Sequence, residues 1–592
     1  EELRGFGATA GNVLINGRRP SSKDSISDQL QRVSANDVLR IELIGGSASG
    51  LTDVRGHAEL ANVVLRSSNA LRESTTYEGI LSWAGERLSQ SAIATRAWET
   101  EALSGSLSVQ LTNRAERETT DITETNAAGV VLSRAEQFSQ SQISDVTLKG
   151  DLNWKIGPSD MINLTGKLIP RNFTIQTGID TRSATGVPVA YASSDYIEKD
   201  ILHAEFGADY EHTVSPDSSF KLVAVNRLIN WRPKDDFKEL MIGGGADTTM
   251  INTDLRYGEH VIRGTWRQKA FGDHALEMGV EAALNYRDAT LGIVFSENGG
   301  AFVPIDLPVA TTKVEELRYE AFISDTWRVT PRLTLELGFT QEMSTISQSG
   351  DAEQERDFSY PKPRAIATWT PTAQDQLRLS FERRVAQLEF SDFASNISLV
   401  ENVVTVGQCN AAPVNDPACV FTAAGNIGEG KSYGIEFDAT LPLDILGISG
   451  GLLKGSVGWQ DSKVTDPIDL QTRRLGEQTA WTYYLEFRQD IPEWDIAWGW
   501  DYYSEGPQTE FRLDEIRRDD LGEGDFDLFV ETTALLDGVL VRLSADNIFD
   551  YPIDTSRRMF SPNRLPGGVF AGAEHRVERQ GPTISLSISG AF

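Results

Sequence analysis

Gly581-Pro-Thr-Ile-Ser-Leu-Ser-Ile-Ser-Gly-Ala-Phe592 closes the chain, and its alternation decides the fold. Ile584, Leu586, Ile588, Gly590 and Phe592 fall on one face; Ser585, Ser587, Ser589 and Ala591 fall on the other. Period two over a segment that stops on an aromatic reads as a strand with one lipid face and one water face. A bilayer offers an unpaired strand edge no hydrogen-bonding partner, so a chain built from such strands must close on itself. The expected fold is an all-β transmembrane antiparallel barrel.

Composition agrees once that geometry is admitted. The chain has 592 residues, 40% of them hydrophobic, and no apolar run approaches the roughly 18 residues that a membrane helix needs. A barrel commits only alternate residues to lipid, so a modest apolar fraction suffices. With 55 Lys and Arg against 86 Asp and Glu, the formal net charge is −31, which argues against nucleic acid and acidic headgroups as partners. A solvated acidic lumen accounts for that charge, and a field for cations is the sharper reading. No Pro/Gly/Ser linker divides the chain.

From about Thr75 onward one unit recurs: an alternating run, a short polar turn, another alternating run. Val146, Leu148, Leu152, Trp154 and Ile156 face one way, against Thr147, Lys149, Asp151 and Lys155. Lys and Asp inside a strand make sense only on a water-facing side. Leu333, Leu335, Leu337 and Phe339 repeat the pattern outward against Thr334, Glu336 and Thr340. So do Ile496, Trp498, Trp500 and Tyr502 against Asp495, Gly499 and Asp501. Nine short turns, from Ala102–Ser104 to Asp537–Gly538, imply 20 countable strands. Between them lie polar stretches expected to be long loops, such as Thr119–Gly129 and Asp235–Asp254. Short turns on one rim and long loops on the other make the short-turn rim periplasmic. Trp154, Trp266, Trp327, Trp369 and Trp494 sit near short turns and suit an interfacial girdle.

Residues 1–70 break the rhythm. Gly11-Asn-Val-Leu-Ile-Asn-Gly-Arg-Arg-Pro20 is a strand into a turn, and Ser25-Ile-Ser-Asp28 fits a capping box before a short helix. Val38–Ile44 and Ala61–Arg66 are two further strands. This small α+β segment is too small to stand alone and finds its natural shelter in the barrel lumen. The domain expectation is a plug at 1–70 and a barrel at 71–592.

Val13-Leu-Ile-Asn-Gly-Arg-Arg-Pro20 resembles the "VLIDG-x-RP" element in the plug of TonB-dependent outer-membrane receptors of Gram-negative bacteria. Val38-Leu-Arg-Ile-Glu-Leu-Ile-Gly-Gly46 is similar to the family's "IERIEVIRG", with Gly45 where the family has Arg. Ala61-Asn-Val-Val-Leu-Arg66 follows as the family's "GGVINIITK" would, and Asp546-Asn-Ile-Phe-Asp550 resembles its "NLFD". The aromatic terminus Phe592 looks like the outer-membrane assembly signal. The resemblance frames the whole chain. It implies plug-motif roles for Asn16, Gly17, Arg18, Arg19, Arg40 and Glu42, and a barrel of 22 strands rather than 20. The additional pair would fall near Val406–Phe421. It also implies more sequence ahead of Arg4-Gly-Phe-Gly7, including the box that pairs with TonB. The opening Glu1-Glu2-Leu3-Arg4 carries no Met or signal peptide, so the exported chain is expected to begin upstream.

Cys409 and Cys419, set among Pro, Asn and Asp, are expected to staple an outer loop as a disulfide. Closing so short a loop would contribute about 3 kcal/mol on the chain-entropy model. Trp231, Arg232, Asp235 and Asp236, with Tyr502, Tyr503 and Arg512, are the candidate substrate contacts at a loop mouth, where rings stack and charges pair; loop packing is the plainer role. Other motifs fail. Gly425-Asn-Ile-Gly-Glu-Gly-Lys-Ser432 matches a phosphate loop, but a strand pattern follows where a helix must open. The six histidines lack metal spacing, and the carboxylates of Asp514–Asp527 read as a solvated loop. No nucleophile motif supports an enzyme.

The resemblance implies import of a scarce small nutrient, siderophore–iron, saccharide or similar, energised through TonB by the inner-membrane proton gradient. The partners implied are the TonB energy-coupling complex, outer-membrane lipid, a small-molecule substrate and the barrel-assembly machinery; no cofactor, metal or nucleic acid is expected. A passive porin-like channel and a non-transporting surface receptor are the alternatives. Residues 1–70 speak against the first, and uptake with and without energy coupling separates the second.

Overall fold

A computed structural model describes residues 13–15, 38–45, 59–65, 72–270, 272–307, 310–351, 353–372, 377–385, 390, 428–522, 524–565 and 567–592. The amino-terminal part forms a sheet of β1 (Val13–Ile15), β2 (Val38–Gly45) and β3 (Glu59–Leu65) in the order β1-β3-β2. β3 runs parallel to β1 and antiparallel to β2. Leu14 and Val63 are its buried apolar residues. All three strands fall where the sequence pattern puts them; the helix expected after Ser25 lies outside the described residues.

The wall begins with β4 (Arg72–Ala84), β5 (Arg87–Glu99), β6 (Leu103–Asn126), β7 (Val131–Lys155), β8 (Asp160–Ser183) and β9 (Pro188–Ser215). β10 (Ser218–Trp231) and its continuation β11 (Pro233–Met241) lead to β12 (Ala246–Ala270), β13 (His274–Ser296) and the short β14 (Val303–Ile305). β15 (Thr311–Thr330), β16 (Leu333–Gly350), β17 (Gln354–Trp369) and β18 (Leu377–Glu382) follow. Next come β19 (Lys431–Pro442), β20 (Gly451–Thr465), the short β21 (Thr472–Arg473) and β22 (Trp481–Ile491). Four interrupted strands finish the wall: β23 (Ile496–Glu505) with β24 (Gln508–Phe511), β25 (Glu515–Asp520) with β26 (Asp525–Leu536), β27 (Val539–Asp546) with β28 (Ile553–Ser561), and β29 (Val569–Arg579) with β30 (Thr583–Ala591).

The ring is closed. β30 pairs antiparallel with β4 from Thr583↔Ala84 to Ala591↔Thr76, and Phe592 exchanges two backbone hydrogen bonds with Thr75. Counting each interrupted strand as one pass, twenty passes are described, in agreement with the sequence count. Register is described between every neighbouring pair of passes except β18 and β19, which flank residues 386–427. The further strand pair near Val406–Phe421 lies outside the described residues, and so do Cys409 and Cys419, whose disulfide therefore stands without structural support.

Burial is inverted relative to a water-soluble protein. Leu107 is 55% exposed and Val280 63%, whereas Lys149 is 8%, Arg318 3% and Glu277 2% exposed. Outward alternate positions present apolar side chains to lipid, and inward ones hold charge where it can be paired. Trp154, Trp266, Trp327, Trp369 and Trp494 are all exposed beside short turns, as an interfacial girdle requires.

The far rim differs from the expected long loops. Thr119–Asn126 continues β6 and pairs with both β7 and β29, so only 127–130 turn. Asp235–Asp254 holds β11 and the start of β12, joined across 242–245. Asp514–Asp527 is no solvated loop either: it contains β25 and the start of β26. Beyond the membrane both faces of a strand are wet, so the apolar alternation fades while the ladder continues. Polarity there marked height above the bilayer, not loop structure.

Candidate functional site

Strand parity sorts the predicted contact residues. On β10 the outward set includes Leu222 and Leu228, which are exposed, while Val223, Val225 and Ile229 are buried on the inward set. Trp231 belongs to the inward set, and Asp235 is inward through its register with Tyr196 of β9. Arg232 and Asp236 therefore point outward, where Arg232 meets Asp254 at 3.2 Å and Lys234 meets Asp236 at 3.0 Å. Trp231, Asp235 and Asp236 lie in strands and Arg232 fills the one-residue break between β10 and β11, so none is in a long loop, and only Trp231 and Asp235 line the interior.

Around those two the wall is aromatic and acidic. The Ser194 hydroxyl donates to Asp235 at 2.7 Å. Tyr196 donates to Glu198, which is 6% exposed, and Phe173 stacks edge-on against Tyr196 with centroids 6.2 Å apart. Rings and carboxylates on one inner wall form a surface that suits cationic or hydrogen-bonding solutes.

The second predicted group is elsewhere. β10 with β11 is the seventh pass of the ring and β23 with β24 the seventeenth, so the two groups stand on opposite walls. Tyr503 donates to Glu505 at 2.8 Å, and Tyr502 belongs to the outward set with Trp498 and Trp500. Arg512 lies between β24 and β25 and pairs with Glu510 at 2.7 Å and Glu515 at 3.2 Å. The structure does not bring the seven residues into one site.

What it does build at the far rim is an ion-paired hub that local sequence could not reveal. Arg564 pairs with Asp466 at 2.6 Å, Arg473 pairs with the same carboxylate at 2.7 Å, and Arg564 donates to the Arg512 carbonyl at 2.8 Å. The Arg473 guanidinium also sits 3.9 Å from the Phe511 ring centroid. Next to it, Arg557 joins Glu515 at 2.7 Å and Glu574 at 3.2 Å. Burial opposes the charged form of Asp466, but Arg564, the Ile468 backbone N–H and Arg473 outweigh it and hold the carboxyl at about 2. Asp466 and Arg564 are 98 residues apart, and no spacing pattern signals such a pair.

Further down, the inner wall carries a charge ladder. Arg318 meets Glu281 at 3.0 Å, Lys362 meets Glu342 at 2.6 Å and Glu320 at 3.0 Å, and Arg263 lies 4.3 Å over Phe322. In the amino-terminal sheet, Arg40 donates to Glu42 at 2.7 Å and Asn62 donates to its other oxygen at 2.8 Å. Asn16, Gly17, Arg18 and Arg19 lie outside the described residues.

A closed wall, apolar outside and ion-paired inside, defines a transmembrane β-barrel of the outer-membrane type. No family model and no curated protein matches the chain. Among solved structures it is similar to the siderophore receptor PiuA from Acinetobacter baumannii, at 11% identity and TM-score 0.55, over 99% of this chain and 89% of that one. It is also similar to the ferripyoverdine receptor of the outer membrane of Pseudomonas aeruginosa (10%, TM-score 0.52, 100% and 81%) and to the copper transporter OprC (13%, TM-score 0.53, 98% and 90%). The fold is that of the TonB-dependent outer-membrane receptors that the sequence resembles.

Proposed function

We propose that this chain is a TonB-dependent import receptor that takes a scarce small nutrient across the outer membrane of a Gram-negative bacterium. The observation that carries the reading is the amino-terminal three-stranded sheet, which bears Arg40 and Glu42 of the plug motif and precedes a ring of twenty described passes. So wide a ring encloses a water-filled lumen unless something occupies it. The sheet is the occupant: its apolar core is thin, the Arg40–Glu42 pair puts charge on its surface, and Leu39 and Ile41 remain exposed on it, so it needs a surrounding wall.

The Trp231–Asp235 wall and the far-rim hub frame the entrance through which substrate reaches the plug. The structural neighbours include a siderophore receptor and a copper transporter; for this chain the acidic, aromatic inner wall favours a cargo that presents positive charge or several hydrogen-bond donors. Binding there signals through the plug, and a pull from the energy-coupling complex on the segment ahead of it opens the path.

Planar-bilayer recording tests the reading. Deleting residues 1–70 should convert a nearly silent protein into a high-conductance pore. Equal small conductance with and without the segment overturns the plug. Uptake that persists after loss of TonB points to the passive channel.

A further inference from the structure

The outer wall carries a large recess within its apolar band, and it is independent of the import reading. We propose that this recess is a docking site for an outer-leaflet glycolipid, with an acyl chain in the recess and the headgroup on a polar row above it. The recess measures about 870 Å³ and spans β30 and β4 to β9. Its floor is Gly79, in register with Ala92 on β5 and Ile588 on β30. A Cβ built on Gly79 meets nothing within 4 Å, so the floor is open space rather than packed side chain. Leu81, Leu111 and Val146, all exposed members of the outward set, form the sides.

The edge distal from the short-turn rim changes character within one outward step. Gln90, Asn113, Ser144 and Asn172 stand in register on four consecutive strands, replacing the apolar row of Ala92, Leu111, Val146 and Pro170. Asn113 accepts from Gln142 at 3.1 Å and from Ser144 at 3.4 Å, which leaves amide groups of the row facing outward. Two outward steps higher, Arg117 pairs in register with Gln140, and Arg87 donates to that amide at 2.9 Å. Acyl-sized apolar space, then a row of amides, then two guanidiniums follows the order of a glycolipid: chain, sugar hydroxyls, phosphate. Asp145 also lines the recess, where Arg171 pairs with it at 3.5 Å, and Glu86 at the β4–β5 turn limits the attraction to a headgroup that offers hydroxyls as well as phosphate.

The test uses the full chain extracted from the outer membrane in mild detergent. Native mass spectrometry with added deep-rough lipopolysaccharide should show a retained lipid adduct, with phosphatidylethanolamine as the competing probe. Gly79→Leu fills the floor and should reduce the adduct at least fivefold; Asn113→Leu, which strips the polar row, should reduce it too. Gly166→Leu, at another open glycine of the same wall, should leave it unchanged. Heat-modifiable migration reports folding of each variant. Absence of an adduct on the unmodified protein, equal retention in Gly79→Leu and Asn113→Leu, or equal retention of phosphatidylethanolamine overturns the proposal.

Discussion

Arg564 reaches across 98 residues to place Nη2 2.6 Å from Oδ2 of Asp466, with both side chains almost fully buried. The pair joins the turn after β20 to the turn after β28, and Arg473 and Phe511 complete the seal. One half of the far rim is thereby fixed. Removing Arg564 leaves Asp466 with Arg473 and the Ile468 N–H but takes away one buried, charge-assisted bond, a loss of about 2 kcal/mol. Arg564→Ala should therefore free the 466–480 segment, read as loss of hydrogen-exchange protection there, with β6 to β9 unchanged as the internal reference. Unchanged protection would show that the pair contributes nothing to the rim.

The same carboxylate sets a pH window. Its pKa falls from 3.8 to about 2 on folding, so the stabilisation is complete above pH 4 and is lost as pH falls toward 2. Protection of the segment should be flat from pH 7 to 5 and should drop only below 4. A drop centred near pH 6 would mean that another group controls it.

The bilayer half of this fold was legible because lipid imposes period two without exception. The alternating runs became strands, the turns at Asp444 and Pro492 are single 3-10 turns, and the girdle tryptophans landed outward. The wet half was not legible in the same way. Thr119–Asn126 and Lys234–Leu240 are ladder-paired strands whose two faces both meet water, so no alternation betrayed them. The candidate contacts suffered most. Reading Trp231 to Asp236 as a loop hid the parity that sends Trp231 and Asp235 inward and their neighbours outward. The rim hub was beyond any local pattern, since its partners come from turns that only barrel closure brings together.

Arg318 sits 3% exposed against Glu281 on the inner wall. Arg318→Ala leaves a buried carboxylate without that partner and should destabilise the barrel by about 3 kcal/mol or more. The double variant Arg318→Met with Glu281→Gln removes both charges and should recover most of that loss. The midpoint of heat-modifiable migration in detergent measures both. Equal midpoints for the single and double variants would assign the cost to lost packing rather than to charge.

Phe592 is 78% exposed, and its ring lies 6.1 Å from Tyr77 across the closing seam. Its backbone bonds to Thr75 survive any side-chain change, so truncation acts on recognition rather than on the ladder. Phe592→Ala should lower the abundance of folded protein in the membrane while leaving the unfolding midpoint of the folded fraction unchanged. A lowered midpoint at normal abundance would place the residue in stability instead.

The alternation at residues 231–236 can be tested without knowing the cargo. In a background lacking residues 1–70, with Cys409 and Cys419 replaced by Ser, the open lumen reports directly on inward positions. Single cysteines at 231, 232, 235 and 236 are exposed in turn to a positively charged, membrane-impermeant methanethiosulfonate. At 231 and 235 the attached cation lies on the inner wall beside Glu198 and should reduce cation conductance in a discrete step. At 232 and 236 the side chain points away from the lumen, so labelling should proceed with no change in current. The free-thiol count by mass spectrometry confirms that all four positions react. Conductance steps at 232 and 236 with silence at 231 and 235 would reverse the register of β10 and β11 against β9, and the inner wall proposed for the cargo would go with it.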